Sequence, residues 1–404
     1  MFNIIKHCRI CKHKNLQSIV NLGNQPAANS LKKKNSSDVK VPLRLLMCKK
    51  CNTLQISATI NSKKLFSKYL WVTRTSDGIK KYRKFFIKKI KSKHKEKNLK
   101  VLEIASNDGF FLEGLKKENC KVLGVDPAKN LVKKANKRGI KTLPNFFSYS
   151  LSNKIKKTFS PDVVICRNVI PHVENINNVI SGISNILNQD GKLYIEFHYA
   201  ENLSKNLHYD YIYHEHIFYY TAQSISNLLK KHGLYSFDYF KSPISGGSLV
   251  FVISKRKIRQ SLKFQKLLLK EKKNKINTLK YWKNFGEKCK NHKEKFQYLI
   301  TNFLKKKKTL AGYGASARSS TVLNYCNINS SQIKTIFDKN LMKKNLYTAG
   351  SNILITNPSL KKILKFHGIV ILAWNFQKEI VTYLKSIGYK GKFISILPKL
   401  KIFK

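Results

Sequence analysis

The chain has 404 residues, 42% of them apolar and 11% aromatic, which suits two or three packed domains and excludes a disordered chain. Seventy-nine Lys and Arg stand against 21 Asp and Glu, for a formal charge of +58. No stretch approaches the roughly 18–20 apolar residues of a membrane helix, and the opening "MFNIIKHCRICK" lacks the apolar run of a signal peptide, so the expectation is a cytoplasmic protein without a transmembrane segment.

In chain order, two tight cysteine pairs come first, Cys8-x2-Cys11 and Cys48-x2-Cys51, on either side of "NLGNQPAAN". Four thiolates delivered as two knuckles are what a tetrahedral structural zinc requires, with two disulfides as the alternative. The other four cysteines, Cys120, Cys166, Cys289 and Cys326, stand singly and read as small core residues. Residues 65–97 read as helical and very basic. A strand–loop–helix alternation then runs through "KVLEIASNDG", "CKVLGVDPA", "PDVVICRNV" and "GKLYIEFHY", the rhythm of a parallel doubly wound sheet, with "SGGSLVFVIS" as an antiparallel closing strand. Residues 255–308 read as a Lys-rich helical segment with a solvated face, an interaction arm being the alternative. The α/β rhythm restarts in "KTLAGYGASARSSTVLNYC", "IKTIFDKN" and "HGIVILAWN". The predicted organisation is a zinc-binding domain (1–65), an α/β domain (66–254) and a C-terminal α/β domain with its helical linker (255–404).

Three strand ends carry the candidate cofactor chemistry. "VLEIASNDGFFL" ends in a small-residue turn that lets a ligand approach the backbone, offering Glu103, Ala105, Asn107 and Gly109. Asp126 follows the second strand, where a carboxylate can take both ribose hydroxyls, and Asn168 and His172 follow the third. This combination is the layout of a class I S-adenosylmethionine methyltransferase. The alternative is a Rossmann-like domain for another nucleotide or for none. Further on, Gly312-x-Gly314-x-x-Ala317 with Asp338 reads either as a second nucleotide or phosphate site or as a tight turn for helix packing.

The string "HYDYIYHEHIFYY" (208–220) sets three histidines and Glu215 among aromatic rings. A metal site is one reading, with His214 and His216 on one face of a strand, and a buried structural polar cluster is another. An acid–base centre is favoured, because the string follows the fourth strand end and a desolvated histidine beside a carboxylate works as a base near neutral pH.

These motifs, in this order, resemble the bacterial nucleotide-sugar C-methyltransferases that act on keto-deoxysugars. The resemblance rests on the double CxxC with "NLGNQPAAN", then "EIASNDGFFL", "GVDPAKNL", "NVIPHV", "YDYIYHEHIFYYT", "GGSLVFVI", "GYGASARSSTVLNYC", "FDKNLMKKNLYTAG" and "LAWNFQKEI". It implies a class I S-adenosylmethionine-methyltransferase Rossmann-like domain flanked by a four-cysteine zinc domain and a C-terminal Rossmann-like α/β domain. S-adenosylmethionine and a structural Zn2+ would be the cofactors, and a nucleotide-diphosphate keto-sugar the substrate. By the same resemblance His216 is the base, Glu215 and Tyr213 support it, and His172 is a second active-site histidine. Ser316, Arg318 and Asn324 are implied contacts to the sugar's nucleotide. The family's tyrosine-bearing stretch is replaced here by "YLWVTRTSDG", which offers Tyr69 or Trp71. The positive charge leaves two other classes open, a zinc-ribbon nucleic-acid methyltransferase and a non-enzymatic nucleic-acid-binding protein. No base-flipping motif supports the first, and no specific nucleic-acid partner is expected.

Overall fold

The computed structural model describes residues 2–34, 36–62, 65, 72–75, 77–94, 96, 98–243 and 247–404. At the N-terminus, β1 (Phe2–Ile4) pairs with β5 (Ala58–Ile60), while β2 (Leu16–Pro26), β3 (Lys40–Cys48) and β4 (Leu54–Ile56) form an antiparallel meander. Along β3, Val41, Leu43, Leu45 and Met47 turn inward while Lys40 and Arg44 face water, the two-residue period of a half-buried strand.

The central sheet is built from β6 (Lys100–Ile104), β7 (Lys121–Val125), β8 (Thr142–Leu143), β9 (Val163–Arg167), β10 (Lys192–His198), β12 (Tyr235–Ser242) and β13 (Ser248–Ser254). Its strand order is β12-β13-β10-β9-β6-β7-β8. The strands β6 to β10 are parallel, and β13 returns antiparallel to β10, as the sequence pattern predicts. The order reverses direction between β6 and β9, and the crevice outside the carboxyl ends of those two strands is where such a sheet binds ligands. Helix Phe110–Lys117 opens directly from β6 and seats Phe110, Phe111, Leu112 and Leu115 in the core.

The strand between β10 and β12 in sequence, β11 (Phe218–Tyr219), does not join the central sheet. It pairs Phe218 with Gln55 and Tyr219 with Leu54, forming the fourth strand of the N-terminal meander. The two regions therefore share a sheet.

The C-terminal sheet contains β14 (Leu310–Tyr313), β15 (Thr335–Phe337), β16 (Leu354–Thr356), β17 (Gly368–Ile371), β18 (Lys392–Ser395) and β19 (Lys401–Phe403), in the order β16-β15-β14-β17-β18-β19. Only β19 is antiparallel, so this is a second doubly wound unit with its switch point between β14 and β17.

Residues 255–308 form helices with a solvated Lys-rich face, as expected, and are packed on the protein rather than projecting as an arm. They contain helices Leu262–Lys273 and Leu279–Lys305, and the longer one buries Trp282, Phe285, Cys289, Phe296 and Ile300 on a single face. Gly286 makes this packing possible, because a Cβ there would lie 2.1 Å from the carbonyl oxygen of Ile19 on β2. The lone cysteines Cys120, Cys166, Cys289 and Cys326 are all buried, as small core residues should be. Among the described residues no helix is long and apolar enough to cross a membrane.

Candidate active site

The four paired cysteines converge. Their sulfurs all lie within 4.8 Å of one another, with Cys8 Sγ 3.7 Å from Cys51 Sγ and Cys11 Sγ 3.5 Å from Cys48 Sγ. Zinc–sulfur bonds of about 2.3 Å in a tetrahedron separate the ligand sulfurs by about 3.8 Å, so this cluster fits zinc closely. Four thiolates leave no open coordination position, which makes the metal structural. Cys8 and Cys51 are free thiols, as are Cys11 and Cys48, so the disulfide alternative is not what the fold contains.

At the crevice of the central sheet the backbone is bent to bring main chain close to a ligand. Ala105 (φ 57°), Asn107 (φ 54°) and Gly109 (φ 71°) after β6, and Asn168 (φ 52°) after β9, all adopt the left-handed region that side-chain-bearing residues rarely enter. Asp126, at the end of β7, accepts Asn107 N–H and Ala128 N–H, both at 2.8 Å, one on each carboxylate oxygen. Each oxygen keeps a second lone pair for a ribose hydroxyl, and the buried Ser106 hydroxyl has no hydrogen-bond partner among the described residues. These features fit S-adenosylmethionine.

Glu103 sits one layer below. It is wholly buried and receives Arg167 Nε at 2.9 Å, while Arg167 stacks 3.3 Å over the Phe111 ring. Burial pushes the Glu103 carboxyl up to about 7, against the pull of Arg167. Arg167, its partner, was passed over by sequence reasoning because its strand reads as apolar.

The Tyr213–His216 string is a turn, not a strand, and its side chains diverge. His214 packs beside Val41 and Pro42 of β3 and is drawn down to about 4, mainly by burial. His216 faces the other way. Its Nδ1 lies 2.9 Å from the Tyr211 carbonyl and its Nε2 lies 3.0 Å from the Tyr213 hydroxyl. A carbonyl only accepts, so Nδ1 carries the proton and Nε2 keeps its lone pair. Burial, reinforced by neighbouring His172, holds the His216 imidazole well below the ordinary histidine range, so it is neutral at pH 7. His172, four residues past Asn168, stands with its ring centroid 4.9 Å from that of His216, its Nδ1 2.7 Å from the Glu215 carbonyl. The string thus lies beside the β9 end of the cofactor crevice. The metal reading falls away, since among the described residues only the four cysteines converge as metal ligands.

The C-terminal candidates each make contacts within the protein. Arg318 is bound to the buried Asp210 of the turn Tyr209–Tyr211, with Nε at 2.8 Å, and its guanidinium lies between the rings of Tyr211 (4.1 Å) and Trp374 (4.2 Å). Trp374 Nε1 donates to the same Asp210 oxygen at 2.9 Å, and His208 and His198 stack on Trp374 and Tyr211. The switch point of the C-terminal sheet is therefore filled by a turn from the central domain. Ser316 caps helix Ala317–Tyr325 through Ser319, and the Asn324 amide binds Ser320 and Ala349 carbonyls. Asp338 takes the Ala315 and Asn340 N–H groups and Lys343. Tyr69 and Trp71 lie outside the described residues. Asp210, Trp374 and Asn29, which donates its amide to Glu215 Oε1 at 2.5 Å, were not singled out from sequence, although all three stand inside the quoted motifs.

Comparison with known proteins agrees with this arrangement. Residues 8–66 match the zinc binding domain family, 75–236 the methyltransferase domain family, and 243–398 the C-methyltransferase C-terminal domain family. C-methyltransferase NovU of Streptomyces niveus is 27% identical over 408 residues, covering 98% of this chain and 97% of NovU. Solved structures with local likeness include the magnesium protoporphyrin IX methyltransferase of Synechocystis PCC 6803 with bound S-adenosylmethionine (13% identity, 44% of this chain, 79% of that one, TM-score 0.34). Another is an S-adenosylmethionine-dependent methyltransferase of Clostridium acetobutylicum ATCC 824 (16% identity, 45% of this chain, 92% of that one, TM-score 0.36). S-adenosylmethionine is the methyl donor, and the four-cysteine cluster is the zinc site. Three domain families match in chain order, and the chain is similar to a C-methyltransferase over nearly its whole length, so it is an S-adenosylmethionine-dependent methyltransferase.

Proposed function

We propose that the enzyme C-methylates a nucleotide-linked keto-deoxysugar in the cytoplasm, with His216 as the base. The observation that carries this reading is the meeting of His216 with His172 beside the β9 end of the crevice. S-adenosylmethionine, when bound, supplies an electrophilic methyl group to a carbon nucleophile and leaves as the neutral thioether. The chain's own residues make that nucleophile. A keto group acidifies the hydrogen on the adjacent ring carbon, and His216 Nε2, unprotonated at neutral pH, takes it. Its Nδ1–H stays on the Tyr211 carbonyl, which stabilises the imidazolium formed. Tyr213 O–H, resting on Nε2, turns to the enolate oxygen as the proton arrives, and Glu215 sets the position of both. Ala105, Asn107, Gly109, Asp126 and Asn168 hold the cofactor, with Glu103 acting through Arg167. Tyr69 or Trp71 and the C-terminal Ser316, Arg318 and Asn324 are the candidates for the substrate side. The aromatic wall of Tyr211, Tyr213 and Tyr219 excludes water from the enolate.

The test is a panel of nucleotide-linked 3-keto and 4-keto sugars with labelled S-adenosylmethionine. Label on a sugar carbon adjacent to the keto group is expected, together with His216-dependent exchange of that hydrogen in D2O. No labelled product from any panel member would overturn the reading.

A further inference from the structure

The zinc domain reaches into the catalytic string at two points. The first is the shared sheet, in which β11 follows His216 by one residue and pairs with β4. The second is a side-chain contact across 186 residues of sequence, where Asn29 Nδ2 donates to Glu215 Oε1. Asn29 closes the "NLGNQPAAN" segment, three residues past β2, at the end of the β2–β3 pair opposite the cysteine knuckles.

Glu215 is 7% exposed, and Asn29 supplies the hydrogen bond that steadies its charge. Among the described residues, the groups facing it are few. His172 bonds its backbone carbonyl from the turn Ile170–His172, and Tyr213, His214 and His216 flank it on its own segment. A buried carboxylate with one amide donor is sensitive to that donor, because a hydrogen bond to a charged group in a desolvated site contributes more than one in water. Asn29 itself is exposed, so its replacement leaves the core packing in place.

We propose that Asn29 is a positioning residue of the methyltransferase reaction: the zinc domain delivers its amide to the Glu215 carboxylate, so the active site is completed across the domain boundary. This rests on the reading of Glu215 as an active-site group, and it gives the zinc domain a catalytic duty beyond folding.

The experiment compares the wild-type holoenzyme with Asn29→Ala and Asn29→Asp. Glu215 is followed by carbon-13 NMR of labelled glutamate, assigned with Glu215→Gln, in the absence of sugar. Loss of the donor moves the Glu215 titration up by about one pH unit in Asn29→Ala, and further in Asn29→Asp, where a second carboxylate replaces the amide. In turnover, kcat falls about tenfold with acceptor KM changed less than about twofold, and the limb of the pH profile that belongs to Glu215 moves up with the NMR midpoint. Zinc content and S-adenosylmethionine affinity equal to wild type show an intact fold. A Glu215 titration unchanged in both variants overturns the proposal. If the wild-type enzyme methylates no keto-sugar, the functional reading fails, while the NMR midpoints still decide the role of Asn29.

Discussion

The imidazoles of His172 and His216 lie edge to face with centroids 4.9 Å apart, and each spends its Nδ1 on a backbone carbonyl, Glu215 for His172 and Tyr211 for His216. Two loops whose histidines stand 44 residues apart in sequence are thereby locked into one site, one anchored on the β9 end and the other on the zinc domain. The fixed tautomer keeps the His216 Nε2 lone pair, which accepts the Tyr213 O–H, without any change of charge.

Replacing that lone pair tests the assignment of the base. His216→Asn is expected to lower kcat by about 10²–10⁴-fold while changing S-adenosylmethionine affinity by less than about twofold. Radiolabel transfer and calorimetry measure the two separately. Because burial depresses the basicity of His216, the neutral form persists through pH 6.5, and its limb of the kcat/KM profile lies on the acid side of that value. Full activity in the variant would remove His216 as the base.

Acid should unfold the protein through its histidines. Burial, the largest cause in each case, draws His94, His172, His198 and His214 down to about 4 and His208 to about 3. Unfolded histidine titrates near about 6.5, so between that pH and about 4 the unfolded chain binds protons that the native chain refuses. Stability present above pH 6.5 is lost as pH falls through this window. Urea midpoints from pH 7.5 to 4.5 measure it, and a midpoint constant down to pH 5 would contradict the buried neutral state.

The contact between the C-terminal domain and the turn Tyr209–Tyr211 contains a buried ion pair. Arg318→Ala leaves Asp210, 1% exposed, as an unpaired buried charge and is expected to cost about 3–5 kcal/mol. Arg318→Lys recovers only part of this, since an ammonium cannot bind two ways and stack between Tyr211 and Trp374. Denaturant unfolding of both variants gives the values. Equal stability of Arg318→Ala and wild type would show that the pair is not what holds the turn.

Zinc should be stoichiometric and structural. One zinc per chain is expected by mass spectrometry, and Cys11→Ser or Cys48→Ser should release it with a loss on the order of several kcal/mol. Because β11 belongs to the same sheet, metal loss should also lower methyl transfer, through disorder at Phe218 and Tyr219. Activity unaffected by complete zinc removal would argue against this coupling.

What the sequence determined by itself was local in origin. The knuckle spacing of Cys8, Cys11, Cys48 and Cys51 specifies a metal cluster because each tight pair already forms half of a tetrahedron. The alternating strands and helices specify two parallel sheets because period and length are written in consecutive residues. The position of Asp126 or Asn168 at a strand end follows from the same periodicity. Contacts between distant segments carry no such signature. That His214 turns toward β3 while His216 turns toward His172, that Arg318 is held by Asp210, and that Asn29 reaches Glu215 were decided by how three domains pack. Each depends on desolvation and on partners supplied from elsewhere in the chain, which no local pattern of residues records.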